Sequence, residues 1–143
     1  ELERNHLTGT VPVELCSLSN LQVLYLYSLP LSWTMPPCFA TDLPSLTDFI
    51  ANSSGLTGPL PPVWNLSNLD TLVLSNNSLR DALPSTWNTP ALANILLSNN
   101  KEISGTLSPS LASRARASIR SALKSSALPG STGSLSSSAG SSA

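Results

Sequence analysis

A six-residue string that recurs through most of the chain constrains its fold more than any other feature. Leu7-Thr8-Gly9-Thr10-Val11-Pro12 returns as Leu56-Thr57-Gly58-Pro59-Leu60-Pro61, and weaker copies end at positions 36, 84 and 108. The five closing positions, 12, 36, 61, 84 and 108, are therefore separated by 24, 25, 23 and 24 residues. A period of this length is typical of a solenoid, in which each unit buries its apolar face against its neighbours.

A second recurring element precedes each string, and it consists of two apolar residues separated by one position. The pairs are Leu24 and Leu26, Phe49 and Ala51, Leu72 and Leu74, and Ile95 and Leu97. Alternation with period two predicts a short strand whose apolar residues point into a core. Stacked units would pair these strands into one parallel sheet, and the 27 leucines of the 143-residue chain supply the continuous core.

An asparagine follows the apolar pair by three residues at Asn77 and Asn100, and Asn5 has the same place after Leu2. Such an amide can donate to one coil and accept from the next, so it satisfies backbone groups that the turn leaves unpaired. We therefore predict a structural ladder of Asn5, Asn77 and Asn100. Leu29 and Ser54 occupy the asparagine position in the two middle coils, so the ladder is expected to be broken there.

These segments resemble plant-type leucine-rich repeats, whose pattern is L-x-x-L-x-x-L-x-L-x-x-N-x-L-x-G-x-I-P. The match covers residues 2–108 and is clearest where leucine stands at positions 15, 18, 21, 24 and 26. The resemblance implies an α/β leucine-rich-repeat solenoid, right-handed, with a concave parallel sheet and a convex side of short turns and 3₁₀ segments. Trp33 and Asp81 replace the glycine of the pattern, and we expect the turns there to be distorted because a left-handed backbone resists both residues.

This interpretation divides the chain into three segments. Residues 1–108 form the solenoid of about four and a half repeats, and residues 109–124 form an amphipathic C-terminal helix that begins at Pro109 after Ser108. The favoured role of this helix is to cover the end of the solenoid. The alternatives are that the segment binds a membrane or an acidic partner, or that it is disordered. Residues 125–143 are rich in Ser, Ala and Gly, and we predict that this tail is disordered.

The composition argues against several classes of function. Residues 1–108 carry eight acidic and three basic residues, a net charge of −5, which disfavours nucleic-acid binding. His6 is the only histidine and has no partner at metal-ligand spacing, and no phosphate-binding glycine loop is present. We therefore predict no enzymatic activity, no cofactor and no metal site. No apolar run is long enough to span a bilayer, so membrane attachment would depend on segments outside this chain.

The cysteines and the possible glycosylation sites give information about the cellular compartment in which the protein folds. Cys16 and Cys38 lie on adjacent coils, and the sequence leaves open whether they form a disulfide or stay as two free thiols. Three asparagines, at positions 52, 65 and 76, begin the acceptor pattern for N-glycosylation, which also arises by chance in a chain rich in Asn and Ser. Of Asn52, Asn65 and Asn76, Asn65 is the favoured site because it is expected to face outward on the convex side.

The residue between the two inward positions of each strand must point to the concave face, since side chains alternate. That column reads Glu1, Tyr25, Ile50, Val73 and Leu96. Such an apolar ribbon across a polar face predicts a ligand contact site, although ordinary β-propensity is the competing explanation. Tyr25 and Tyr27 are the expected anchors, because tyrosine is large, rigid and amphipathic.

The resemblance implies a non-catalytic module that binds a protein, peptide or glycan ligand on its concave face. On this reading the chain is a piece of a receptor-like or secreted protein, extracellular or membrane-attached, and a kinase domain could lie outside it. An intracellular scaffold of a cytoskeletal or ciliary complex is the first alternative, which free thiols would favour. A non-functional gene fragment is the second, because the chain opens at Glu1 inside a repeat.

Overall fold

The computed structural model describes residues 6–114, so Glu1 and Asn5 lie outside it. The described strands are β1 (Val23–Tyr25), β2 (Trp33–Thr34), β3 (Asp48–Ile50), β4 (Leu56–Gly58), β5 (Val63–Trp64), β6 (Thr71–Val73), β7 (Ser78–Ala82), β8 (Thr86–Trp87), β9 (Asn94–Leu96) and β10 (Glu102–Ser104). The described residues also form two 3₁₀ helices, Val13–Ser17 and Pro37–Ala40, and one α-helix, α1 (Pro109–Arg114).

The central element is a four-stranded parallel sheet in the order β1-β3-β6-β9, called the concave sheet below. Its register places Leu24 beside Phe49, Phe49 beside Leu72, and Leu72 beside Ile95. All four side chains are buried, as are the second inward residues of each coil, which are Leu26, Ala51, Leu74 and Leu97. The chain thus folds as a leucine-rich-repeat solenoid, as the repeat period and the resemblance predicted.

The coils are joined by a second parallel sheet that the sequence pattern did not reveal. Its order is β10-β7-β4-β2, and it follows the turn that ends each strand of the concave sheet. The convex side carries the two 3₁₀ helices in the early coils and the strand pair β5-β8 in the later ones. The predicted turns and 3₁₀ segments therefore describe only part of this side.

Tryptophan organises the later convex coils. The rings of Trp64 and Trp87 stack with their centroids 5.4 Å apart and their planes at 17°. Each indole Nε1 donates to the carbonyl oxygen of the proline three residues earlier, Pro61 at 3.1 Å and Pro84 at 2.9 Å. Because both indole N–H groups are satisfied, the two rings can be buried at small cost.

Asparagine side chains link neighbouring coils where the concave sheet ends. The Oδ1 atom of Asn77 accepts from the backbone N–H groups of Ser54 at 3.1 Å and Leu56 at 3.0 Å, while its Nδ2 atom donates to the carbonyl oxygens of Ala51 and Leu74. One side chain thus satisfies four backbone groups on two coils.

Asn100 repeats this arrangement one coil later. It accepts from the N–H of Leu79 at 3.0 Å and donates to the carbonyl oxygens of Leu74 and Leu97. At the equivalent place in earlier coils Leu29 is simply buried, and the Ser54 hydroxyl donates to Ala51 within its own coil.

The two residues that replace glycine, Trp33 and Asp81, differ in their backbone conformation. Asp81 has a φ of +70°, close to the +82° of Gly58 and the +96° of Gly105, so the expectation of a distorted turn was wrong there. Aspartate is among the residues that tolerate the left-handed region, which explains the agreement. Trp33 does not adopt a positive φ; it lies in β2 and is buried.

The described part of the C-terminal segment contains α1, which begins at Pro109. The Oγ atom of Ser108 accepts a hydrogen bond from the backbone N–H of Leu111 at 3.4 Å, which is the geometry of an N-terminal cap. Leu111 is fully buried and joins the core at the last described coil. The rest of the predicted helix over 109–124 and the predicted tail over 125–143 lie outside the described residues. No helix within residues 6–114 is long and apolar enough to cross a membrane.

Candidate functional site

Four apolar side chains form one row across the outward face of the concave sheet. Tyr25 is in register with Ile50, Ile50 with Val73, and Val73 with Leu96. All four are half-buried, whereas the residues on either side of them in each strand point into the core. We call this row, Tyr25, Ile50, Val73 and Leu96, the ribbon; at the usual spacing of about 4.8 Å between strands it is about 15 Å long.

The two tyrosines meet at one end of the ribbon. The ring centroids of Tyr25 and Tyr27 are 6.1 Å apart with an interplanar angle of 53°. Both rings are half-buried, so each has an apolar body against the sheet and an exposed portion. Tilted pairs of this kind are stabilised beyond their buried area, which holds both rings in place without a ligand.

The row on one side of the ribbon contains one aspartate, and a second aspartate directly precedes the neighbouring strand. Register places Val23, Asp48, Thr71 and Asn94 side by side, and Asp70 directly precedes β6. The Oδ2 atom of Asp70 accepts from the Thr71 hydroxyl at 2.9 Å and lies 3.4 Å from the Asn94 amide nitrogen. Asp48 is held in the same way, since the Oγ1 atom of Thr47 lies 2.7 Å from its Oδ2 atom.

The prediction of site residues included neither aspartate. Asp48 appears in the sequence only as a neighbour of the apolar column, and Asp70 lies one residue outside the strand. The available signal is local: each aspartate is next to a threonine at the start of a strand, in Thr47-Asp48 and Asp70-Thr71.

The row on the other side of the ribbon is neutral. It consists of Tyr27, Asn52, Ser75 and Ser98, and the Ser98 hydroxyl donates to that of Ser75 at 3.1 Å. Asn52 is half-buried in this row, and its carbonyl oxygen accepts from the N–H of Ser28 on the preceding coil. The middle of the ribbon therefore has Asp48 and Asp70 on one side, and the whole ribbon has uncharged residues on the other.

The two cysteines are joined by a disulfide in the structure, with their Cα atoms 5.8 Å apart. Cys16 belongs to the first 3₁₀ helix and Cys38 to the second, so the bond ties two neighbouring convex coils together. It lies away from the ribbon, which is on the other side of the solenoid.

The three glycan acceptor asparagines lie in different surroundings. Asn65 is exposed at the end of β5 on the convex side, where its Oδ1 atom accepts from Asn88 Nδ2 at 2.6 Å. Asn76 is exposed in a left-handed turn with a φ of +56°, and its Oδ1 atom accepts from Asn99 Nδ2 at 2.6 Å. Asn52 is half-buried beside the ribbon.

Within residues 6–114, no group of three or more His, Cys, Asp or Glu side chains lies close enough together to hold a metal ion. His6, the first described residue, is exposed and lies in none of the ribbon strands β1, β3, β6 and β9.

Comparisons with known proteins agree with this fold. A model of the leucine-rich repeat family matches residues 68–89, which span β6, β7 and β8. Receptor-like protein 31 of Arabidopsis thaliana is 33% identical over 64 residues, which are 45% of this chain and 7% of that protein.

A solved structure gives the same result in three dimensions. The crystal structure of the Arabidopsis receptor kinase HAESA, in complex with the peptide hormone IDA and the co-receptor SERK1, superposes with a TM-score of 0.56 at 26% identity. The match covers 75% of this chain and 22% of that one. This chain is thus a leucine-rich-repeat solenoid similar to parts of plant receptor-like proteins, and it spans only a small share of the length of either relative.

Proposed function

We propose that this chain is a non-catalytic recognition module that binds a peptide or protein ligand across the ribbon. The observation that carries the proposal is the row of Tyr25, Ile50, Val73 and Leu96 in register on the outward face of the concave sheet. The solenoid fold by itself would not indicate ligand binding, because function depends on a particular site rather than on the fold.

Two explanations are possible for the apolar row, ligand binding and ordinary strand propensity, and the surroundings of the ribbon favour ligand binding. β-branched and aromatic residues suit any strand, but propensity alone does not require four adjacent coils to place apolar side chains outward in one row. Contiguous exposed apolar groups bordered by polar ones are characteristic of contact sites, and a tyrosine pair at one end supplies the type of residue that dominates such contacts.

An extracellular location, either secreted or as the ectodomain of a membrane-attached receptor-like protein, accompanies this function. The disulfide between Cys16 and Cys38 supports it, because disulfides persist in oxidising compartments. The similarity to receptor-like protein 31 and to the HAESA structure supports a receptor-like context, and it is the reason for preferring a peptide or protein ligand.

The experiment is a selection from a random peptide library on the secreted 143-residue chain, followed by binding measurements with the selected peptides. We expect them to bind at least tenfold more weakly to the double variant Tyr25→Ser, Ile50→Ser, because about 1.4 kcal/mol of apolar contact is lost. Val63→Ser is the matched control, since Val63 is exposed on the convex side. Equal binding to the wild type and the folded double variant would contradict the proposal.

A further inference from the structure

The two aspartates beside the ribbon lie on neighbouring coils. Asp48 is the first residue of β3 and Asp70 directly precedes β6, and these strands are paired in the concave sheet. Both flank the middle of the ribbon, where Ile50 and Val73 are in register. We call Asp48 and Asp70 the acidic flank.

Each carboxylate of the acidic flank is oriented by contacts through one oxygen atom. Thr47 approaches Asp48 at Oδ2, and both Thr71 and Asn94 approach Asp70 at Oδ2. These neighbours are all uncharged, so they orient the carboxylates without neutralising them. A carboxylate has about four lone-pair sites, so each retains capacity for a donor that comes from outside.

Positive charge is missing from this face of the described chain. Within residues 6–114, neither the ribbon nor the rows on its two sides contain a lysine or an arginine. The described cations nearest in sequence, Arg80 and Lys101, lie in or next to the strands of the second sheet. The two described charges beside the middle of the ribbon, Asp48 and Asp70, are both negative, and they favour a cationic ligand group.

We propose that the ligand of the ribbon is an extended peptide segment that combines apolar side chains with a lysine or arginine, and that this cation pairs with the acidic flank. The inference rests on the proposed function and adds the ligand's charge to it. In an extended chain alternate side chains are about 6.7 Å apart, so three of them cover about 13 Å, close to the length of the ribbon. The basic side chain then extends sideways from the middle of the ribbon to Asp48 and Asp70.

The contribution of the cation is expected to be moderate. Charge-assisted hydrogen bonds to a carboxylate are stronger than neutral ones, but an exposed pair is screened by water and salt. Replacing the basic residue of a bound peptide by glutamine should therefore weaken binding by up to about fivefold, and less at high salt.

The test uses the same peptide selection, carried out in parallel on three proteins. These are the wild type, the variant Asp48→Asn, Asp70→Asn, and the control Asp42→Asn. Asp42 is exposed, accepts from the Thr41 hydroxyl at 2.7 Å and follows the 3₁₀ helix of the convex side, so it copies the Thr-Asp contact away from the ribbon.

We expect peptides selected on the wild type and on Asp42→Asn to contain apolar residues and a lysine or arginine, and those selected on Asp48→Asn, Asp70→Asn to keep only the apolar residues. With one selected peptide, replacing its basic residue and removing the acidic flank should give non-additive losses, which shows direct pairing. Peptides that depend on the ribbon but carry no basic residue would overturn this inference and leave the proposed function standing. Peptides that bind equally to Tyr25→Ser, Ile50→Ser would overturn both.

Discussion

The indole Nε1 of Trp33 donates a hydrogen bond to the backbone carbonyl oxygen of Ser54, 3.0 Å away on the next coil. In the later coils an asparagine side chain joins each coil to the one before it, as Asn77 does with Ser54 and Leu56. Ser54 is too short to reach back in this way, and its hydroxyl bonds within its own coil. No asparagine joins the coil of Ser54 to the coil before it. The indole of Trp33, which belongs to that earlier coil, makes the connection instead.

The first prediction concerns this link. Trp33→Phe keeps an aromatic ring near Phe39, whose ring centroid is 6.3 Å away, but removes the donor and leaves a buried carbonyl unpaired. We expect the free energy of unfolding to fall by about 1–3 kcal/mol. Hydrogen exchange should accelerate at the amides of Leu26 and Ser28, which bond to the next coil.

Trp87→Phe is the matched control, because its indole bond to Pro84 closes within one coil. Trp87→Phe should lower the free energy of unfolding without a selective acceleration of hydrogen exchange at the amides of Leu26 and Ser28. Unchanged exchange at those two amides in Trp33→Phe would show that the indole bond does not join the coils.

The second prediction concerns a close backbone approach. Gly55 has a φ of +67°, and a Cβ atom at this position would overlap the carbonyl oxygen of Leu31 on the preceding coil. Gly55→Ala should therefore cost about 3 kcal/mol or more, from left-handed strain and the backbone clash together. Denaturant unfolding measures the loss directly.

Gly105→Ala separates the two contributions. Its φ of +96° is also left-handed, but the nearest atom to an added Cβ is the Leu83 nitrogen at 3.5 Å, an ordinary contact. The expected cost is about 1–2 kcal/mol from strain alone. Equal losses for the two variants would mean that the approach of Gly55 to Leu31 contributes nothing.

The third prediction concerns the disulfide. Cys16 and Cys38 are 22 residues apart, and a loop of this length corresponds to a stabilisation of about 3 kcal/mol in the chain-entropy treatment. The double variant Cys16→Ser, Cys38→Ser should lose about that much. Alkylation of the natively produced protein without reduction should label neither cysteine, and two labelled cysteines in mass spectra would remove both the bond and its support for an extracellular location.

The fourth prediction concerns glycosylation. When the chain is secreted from a eukaryotic host, we expect a glycan on Asn65, because this side chain is exposed on the convex side away from the ribbon. Asn65→Gln should remove one glycan's mass, whereas Asn52→Gln should leave the mass of the attached sugars unchanged. A glycan found on Asn52 would crowd the ribbon and count against ligand binding there.

The sequence predicts the repeating part of the fold because that part depends on local periodicity. Leu72 and Leu74 point inward and Val73 outward for the simple reason that strand side chains alternate. The second sheet was missed because its strands, such as β2 and β7, acquire their identity only by pairing with a neighbouring coil.

The same limit applies to single residues. Trp33 appears in the sequence as a departure from glycine, and its bond to Ser54 depends on a residue 21 positions away. The acidic flank was missed for a similar reason: Asp70 lies outside its strand, and only the contact with Asn94 on the next coil shows that its carboxylate borders the concave sheet.

The central claim is that ligands bind across the ribbon, and amide and methyl NMR shift mapping with one library-selected peptide tests it most directly. We expect saturating peptide to shift the signals of Tyr25, Ile50, Val73 and Leu96 and to leave those of β5 and β8 on the convex side unchanged. Shifts confined to the convex side or to the second sheet, with the ribbon signals unmoved, would contradict it.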